Sequence, residues 1–322
     1  MKTNRIIWSF YTIIMIVFLG CQKEVTEKST IVESNSQFKS GYPILSGIEV
    51  IDGRLYFENQ SEFAVVLQTL FNNQNNLDGF EEQFRGFNSS RMAFDLVNEQ
   101  MVESLNGNIS TLSNYAILLN KNGDTCLEPV IDRLVLSVLF NDEGVLQIGQ
   151  KIWKETYYYF YEMDLETFKQ NRNSVQRGSI PGLNVYPIER KTTNTNMDSE
   201  ITSCTNNYAT KKRMRGELNQ FRSPVYNDIT VETKNRKKGF LGIWYSLKAD
   251  EIHLDGTGTY NWMPVPELTT FSVNETKYNK ADIQEIVDFS AGIVPNVYPY
   301  FVTSNSTHYV KVPQQKTCNI IY

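Results

Sequence analysis

The chain has 322 residues, 41% hydrophobic and 12% aromatic, with 31 Lys and Arg against 36 Asp and Glu and a formal net charge of −5. That is enough apolar material to bury substantial cores, and the length suits two domains. The acidic balance gives no general attraction to nucleic acid or to an anionic membrane.

The chain opens with Lys2 and Arg5, an apolar run from Ile6 to Leu19, then Gly20-Cys21 and the polar Gln22-Lys23-Glu24. The run has the length of a secretory signal and falls short of the roughly 20 apolar residues that a membrane span requires. Gly20-Cys21 after such a run resembles the lipobox of bacterial lipoproteins, with Phe18 standing where Leu is usual. The resemblance implies cleavage after residue 20 and lipidation of Cys21 by diacylglycerol and an N-acyl chain, and two or more buried chains make a stable anchor. Gln22-Lys23-Glu24 resembles the surface-export signal of Bacteroidota lipoproteins, with Val25 where a second acidic residue is usual. It implies the outer membrane as destination, with the body facing the cell exterior. Residues 21–40 are polar, rich in Ser, Thr and charge, and read as a flexible tether.

The fold class expected for the body is α+β, with an N-terminal helical domain carrying a small antiparallel sheet and a C-terminal, mainly antiparallel, sandwich-like β domain. Residues 41–172 form the first domain. Ile48 to Phe57 alternates about Asp52-Gly53, the dipeptide favoured in two-residue hairpins. Ser61 can cap a helix in which Phe63, Val66, Leu67, Leu70 and Phe71 recur at helical spacing before Asn72 to Asn76 break it. A second helix is expected over Ser90 to Leu105 and a third over Pro129 to Phe140. Two strands, Val145 to Glu155 and Tyr157 to Met163, precede a short helix begun by Asp164.

Residues 173–203, with Thr192-Thr193-Asn194-Thr195-Asn196 as their least patterned piece, read as a linker. Residues 204–322 form the second domain, with strands expected over Asp228 to Thr233, Gly239 to Leu247, Glu251 to Leu254, Thr269 to Val273 and Tyr309 to Val312. Asp282 to Phe289 is expected to be one intervening helix. The stretches Asn141 to Gly149 with Ile152-Trp153, Lys212 to Gly216 and Lys248 to Ile252 resemble segments of uncharacterised Bacteroidota lipoproteins, a resemblance that carries no functional residue.

With Cys21 lipidated, three cysteines remain. Cys204 and Cys318 sit near the two ends of the second domain, where first and last strands often run side by side, and are the expected disulfide. Cys126 is then a buried thiol.

No cofactor, metal or nucleotide motif stands out, and no catalytic residue is assigned. Glu251, His253 and Asp255 leave one face of a strand, an arrangement open to metal ligation but equally that of a polar outer face, and no metal is assigned. His253 and His308 are the only histidines, and neither lies in a hydrolase motif. Glu81, Glu82, Asp95, Glu99 and Glu103 have the spacing of a solvated helix face. Two basic groups, Lys211-Lys212-Arg213 with Arg215 and Lys234 with Arg236-Lys237-Lys238, read as guards of sheet edges or hairpin turns, not as a nucleic-acid site.

The aromatic run Trp153, Tyr157, Tyr158, Tyr159, Phe160, Tyr161 is the candidate ligand site, since on a strand Tyr157, Tyr159 and Tyr161 share one face. Trp153, Tyr157, Tyr159 and Tyr161 are the expected ligand-binding aromatics. The functional expectation is a lipid-anchored envelope protein, not an enzyme, held to the membrane through Cys21 and binding an extracellular glycan or protein. The alternatives are an envelope hydrolase such as a glycosidase and a structural or assembly lipoprotein.

Overall fold

The computed structural model describes residue 45 and residues 47–121, 123–171, 182–191, 203–223, 226–264, 267–291 and 297–322. Cys21, the tether and Thr192 to Asn196 lie outside the described residues. Asp52 and Gly53 both take positive φ, 50° and 76°, and join β1 (Glu49–Ile51) to β2 (Arg54–Phe57) with Ile51 opposite Arg54. Helix α1 (Gln60–Asn72) follows. Its cap is Asn59, not Ser61: the Asn59 side chain accepts the N–H of Glu62 at 3.0 Å, and Phe63, Val66, Leu67 and Leu70 are buried.

The remaining helices of this half are short. After α2 (Leu77–Glu81), the helix expected from Ser90 to Leu105 is two separate pieces, α3 (Ser90–Asp95) and α4 (Glu99–Ser104). Asn98 divides them, since its backbone is extended, φ −127° and ψ 170°, and its side chain accepts the Met101 N–H. A hairpin of β3 (Ala116–Lys121) and β4 (Asp124–Pro129) comes next, and the helix expected over Pro129 to Phe140 is the single turn α5 (Leu134–Ser137). The strand expected over Val145 to Glu155 is a hairpin, β5 (Val145–Ile148) and β6 (Lys151–Glu155), turned at Gly149-Gln150. Strand β7 (Tyr159–Asp164), helix α6 (Leu165–Asn171) and strand β8 (Asn184–Pro187) complete a six-stranded sheet in the order β1-β2-β5-β6-β7-β8.

The rest of the chain is strand: β9 (Glu189–Lys191), β10 (Ser203–Ala209), β11 (Lys212–Arg222), β12 (Tyr226–Lys238), β13 (Ile243–Ser246), β14 (Ala249–Met263), β15 (Thr269–Lys280), β16 (Asp282–Ala291), β17 (Tyr298–Val312) and β18 (Gln314–Ile321). A second sheet runs β10-β11-β12-β13-β4-β3, with β16 also on β12 and β9 on β11. β4 joins it by parallel pairing with β13, Cys126 lying opposite Trp244. The third sheet runs β15-β14-β17-β18.

The expected α+β layout is thereby corrected to a mainly β fold in three sheets, with short helices as covers and no distinct N-terminal helical domain among the described residues. Two local choices account for the difference. Helical periodicity over Ser90 to Leu105 yields to the Asn98 cap. Asp282 to Phe289 is strand β16, because its β-branched Ile283, Ile286 and Val287 fit a pleated surface and its backbone is satisfied along β12 from Lys234↔Asp282 to Tyr226↔Ala291.

One core packs α1 and the first sheet, with Phe63, Trp153 and Phe160, against Phe221, Tyr226 and Ile286 of the second. Another fills the space between the second and third sheets, Met214, Leu218, Ile229 and Val231 meeting Ile252, Leu254, Val310 and Ile320. Cys204 of β10 and Cys318 of β18 are joined in a disulfide across these two sheets, with Cα atoms 5.8 Å apart. Residues 40–322 are one compact unit, and every core among the described residues lies inside it, which is what a part that folds by itself requires. Among the described residues no helix is long and apolar enough to cross a membrane.

Candidate functional site

The aromatic run lies at the β6–β7 hairpin and its strands. Strand pairing ends at Glu155 opposite Phe160; Thr156 then donates its N–H to the Tyr159 carbonyl at 2.9 Å, which leaves Tyr157 and Tyr158 at the hairpin tip. The expected shared face of Tyr157, Tyr159 and Tyr161 is thus interrupted by the turn. Trp153 is buried in the first core, edge-on to Phe63 at 5.3 Å and to Phe160 at 5.4 Å. Tyr161 is also buried, on the other face, with Ile152, Met163 and Phe168 of the covering helix α6.

Tyr159 is on the Tyr161 face, and remains 46% exposed. Val185 and Pro187, opposite Tyr161 and Tyr159 on β8, are exposed on the same side. Tyr158, 57% exposed, stands at the tip, which the Ile188 N–H fastens through the Tyr158 carbonyl at 2.9 Å. Tyr157 and Tyr158 meet edge to face with centroids 5.0 Å apart. The available surface is therefore Tyr158, Tyr159, Val185 and Pro187 rather than the four aromatics expected from alternation.

Arg190 of β9 supports this surface from behind. Its guanidinium lies 4.1 Å from the centre of the Tyr157 ring, and Nη1 donates to the Tyr157 carbonyl. Its Nε donates to both oxygens of Asp132, at 3.0 and 3.2 Å. Asp132 in turn accepts from Arg133 Nε at 3.2 Å, and Arg133 Nη1 reaches Asp228 at 3.4 Å and Thr230 at 3.2 Å. Burial alone would raise Asp132, but the two guanidinia outweigh it and hold its carboxyl well below the usual range.

This is one end of a buried charged layer. Along β12, Ile229 and Val231 face the third sheet, while Asp228, Thr230, Glu232, Lys234 and Arg236 alternate onto the opposite face, all buried or nearly so. Lys234 Nζ lies 3.0 Å from Glu232, 3.5 Å from Glu217 and 3.7 Å from Glu128; Arg236 lies 3.6 Å from Glu128 and pairs with Asp282. Gln284 of β16 accepts the Leu134 N–H at 2.8 Å and donates to the Asp132 carbonyl at 3.1 Å, fixing the start of α5 to the layer.

Desolvation pushes Asp228 up to about 6 and Glu232 to about 7, against their cationic neighbours. Glu155 is the most isolated member. It shares its sheet face with Trp153 and Phe160; neither oxygen accepts a hydrogen bond among the described residues, and its nearest cation is Arg190 Nη2 at 3.8 Å. Burial pushes its carboxyl up to about 8.

The other sequence candidates take structural places. Lys234 and Arg236, expected at a sheet edge, are inside the layer. Glu81, expected on a solvated helix face, is buried and accepts from Ser89 and Arg91. His253 Nδ1 is 2.7 Å from Thr276 Oγ1, with its ring stacked on Tyr309 at 4.6 Å, and Tyr309 donates to Glu251, while Asp255 is exposed. His308 is buried between Thr233 Oγ1 at 2.8 Å and Ser306 Oγ at 3.0 Å, and desolvation lowers its imidazole to about 4. Its ring packs directly against Gly216, where a Cβ would come within 2.3 Å of Cδ2. Among the described residues no three His, Cys, Asp or Glu side chains are grouped to hold a metal ion. Cys126 is a buried thiol outside any disulfide and accepts from Arg213 Nη2 at 3.4 Å.

No protein-family model matches the sequence, and no match is found among curated proteins. Among solved structures, that of a DUF4848 family protein from Bacteroides thetaiotaomicron is similar over 85% of this chain and 100% of its own, at 12% sequence identity and a TM-score of 0.27. A similarity at that level transfers neither a fold nor a function.

Proposed function

We propose that this is a lipid-anchored envelope protein, held at the outer membrane through Cys21 with its body facing the exterior, and that it binds an extracellular protein through the β6–β7 tip and the adjoining β8 edge. The observation that carries the binding role is the pairing of exposed Tyr158 and Tyr159 with a fixed base, Tyr157 stacked on Arg190 at 4.1 Å. Exposed tyrosines on a rigid support lose little freedom on binding and serve as interface anchors. A protein ligand is preferred to a glycan because the exposed patch joins the two tyrosines to apolar Val185 and Pro187 on the adjoining edge, a mixed surface of the kind that protein interfaces bury.

A binding role is also preferred to hydrolysis. Of the carboxylates with raised pKa, Glu155, Asp228 and Glu232 are buried in the charged layer beside Arg190, Arg133 and Lys234, Glu285 is buried near Lys277 of β15, and Asp95 lies apart from them on α3, so none of them belongs to the exposed tyrosine surface. The anchor and its surface route rest on the N-terminal sequence alone. The test of binding is a screen of residues 40–322 against extracellular proteins and glycans, run in parallel with Tyr158→Ala/Tyr159→Ala.

A further inference from the structure

At one end of the second sheet the β12–β13 hairpin closes in a four-residue turn, Gly239-Phe240-Leu241-Gly242. The Gly239 N–H donates to the Ile243 carbonyl at 2.8 Å and the Gly242 N–H to the Gly239 carbonyl at 3.1 Å, with Gly242 at φ +79°. This small, fixed turn presents Phe240 at 88% exposure, the highest among the exposed large hydrophobic side chains, and Leu241 at 41%. A single exposed ring is ordinary on a protein surface; what marks this one is the hydrogen-bonded turn that holds it out beside Leu241, together with the charge around it.

The surroundings of the ring are cationic. The β10–β11 turn lies alongside, with Lys212 opposite Lys237 in the ladder and the Lys238 N–H on the Lys211 carbonyl at 2.8 Å. Lys237 pairs with Glu99, and Lys238 and Arg213 share Asp124 at 3.2 and 2.5 Å. Lys211 and Lys212 are exposed and have no carboxylate partner among the described residues. Five cations at this end thus meet the paired carboxylates Glu99 and Asp124, with Glu103 also within electrostatic reach of Tyr245 opposite Lys237, on a chain whose net charge is −5.

A single projecting ring with a leucine beside it and lysines set back from it has the form of an interfacial anchor. The ring and leucine enter the headgroup boundary while long lysine stems keep their ammonium groups at the phosphates. We infer that the Phe240–Leu241 turn is a membrane-resting foot, which docks on an anionic lipid surface and sets the orientation of the body against it. A convex tip of this kind needs no shaped pocket in its partner, which favours a bilayer over a protein. The foot acts independently of the Cys21 anchor and of the tyrosine surface.

The test is co-sedimentation of residues 40–322, which lack the N-terminal segment, with vesicles of phosphatidylcholine alone and of equimolar phosphatidylglycerol and phosphatidylcholine. The expected result is binding to the anionic vesicles only, weakened by salt. Phe240→Ser and Lys211→Glu/Lys212→Glu each lower the partition coefficient by on the order of tenfold, while Leu268→Ser, in the β14–β15 turn, leaves it unchanged. All these side chains are exposed, so unchanged melting temperatures verify that the variants fold. Failure of the wild type to distinguish the two vesicles, or Phe240→Ser binding as well as the wild type, overturns the inference. So does binding to polyglutamate without binding to anionic vesicles, which makes the tip an acidic-protein site.

Discussion

The guanidinium of Arg190 lies 4.1 Å from the centre of the Tyr157 ring while its Nε is 3.0 Å from Asp132. One side chain therefore ties the exposed hairpin tip to the buried charged layer. Asp132 is itself held by Arg133, and Arg133 by Asp228 near the start of β12, so the tip is tied to the largest sheet both by the pairing of β9 with β11 and by this chain of charges.

Removing that link is expected to affect both stability and the tip. Arg190→Met keeps the stem but leaves Asp132 with one cation and takes from Glu155 the cation nearest to it, and breaking a buried pair from one side costs on the order of 3 kcal/mol. Urea denaturation measures this directly. An unchanged midpoint would mean that the layer is indifferent to Arg190.

The buried carboxylates set a pH dependence with a definite sign. Glu155 has a folded value of about 8 against an ordinary 4.5, so its contribution is complete below about 4.5 and is lost as pH rises toward 8. Between about pH 6 and pH 9 the wild type is expected to lose about 2 to 3 kcal/mol from this group, and Glu155→Gln, which mimics the protonated acid, to be spared that loss. His308 acts in the opposite sense, its folded value of about 4 against 6.5 removing stability as pH falls through that window. Denaturation of both proteins across this range is the measurement, and parallel profiles would contradict the assignment of Glu155.

The Cys204–Cys318 bond spans 114 residues of sequence and clasps two sheets. Cys204→Ser is expected to lower stability by on the order of 2 to 5 kcal/mol. A reductant should bring the wild type down to the variant and leave the variant unmoved. A wild type insensitive to reductant would show that the bond contributes little.

The address has its own test. Cys21→Ser should abolish acyl labelling and release the protein from membranes, and protease added to intact cells should digest the wild-type body. Retention of the serine variant on membranes, or full protection of the body, would contradict the anchor or its outward face respectively.

Much of the local structure is legible in the sequence, because it rests on short-range chemistry. Asp52-Gly53 adopts the positive φ values that a two-residue hairpin needs, and the Phe63 to Leu70 spacing delivers a buried helix face. What fails is wherever tertiary pairing decides. The β-branched residues of Asp282 to Phe289 fit a helix or a strand, and only the presence of β12 selects the strand. Alternation over 226 to 236 is readable, yet its charged half points inward, since carboxylates from β4, β11 and β16 converge on its cations from distant parts of the chain. Arg190 gives no signal at all in sequence; its role depends on β9 lying against β11 beside Asp132.

The central claim, a binding surface at the β6–β7 tip, is tested most directly by presenting residues 40–322 and their Tyr158→Ala/Tyr159→Ala variant to the same panel of extracellular proteins and glycans. Both tyrosines are substantially exposed, so the variant should melt at the wild-type temperature. The account predicts a protein ligand bound by the wild type and lost, by tenfold or more in Kd, from the variant, about the effect of removing an interface anchor. A ligand bound equally by both proteins would contradict it.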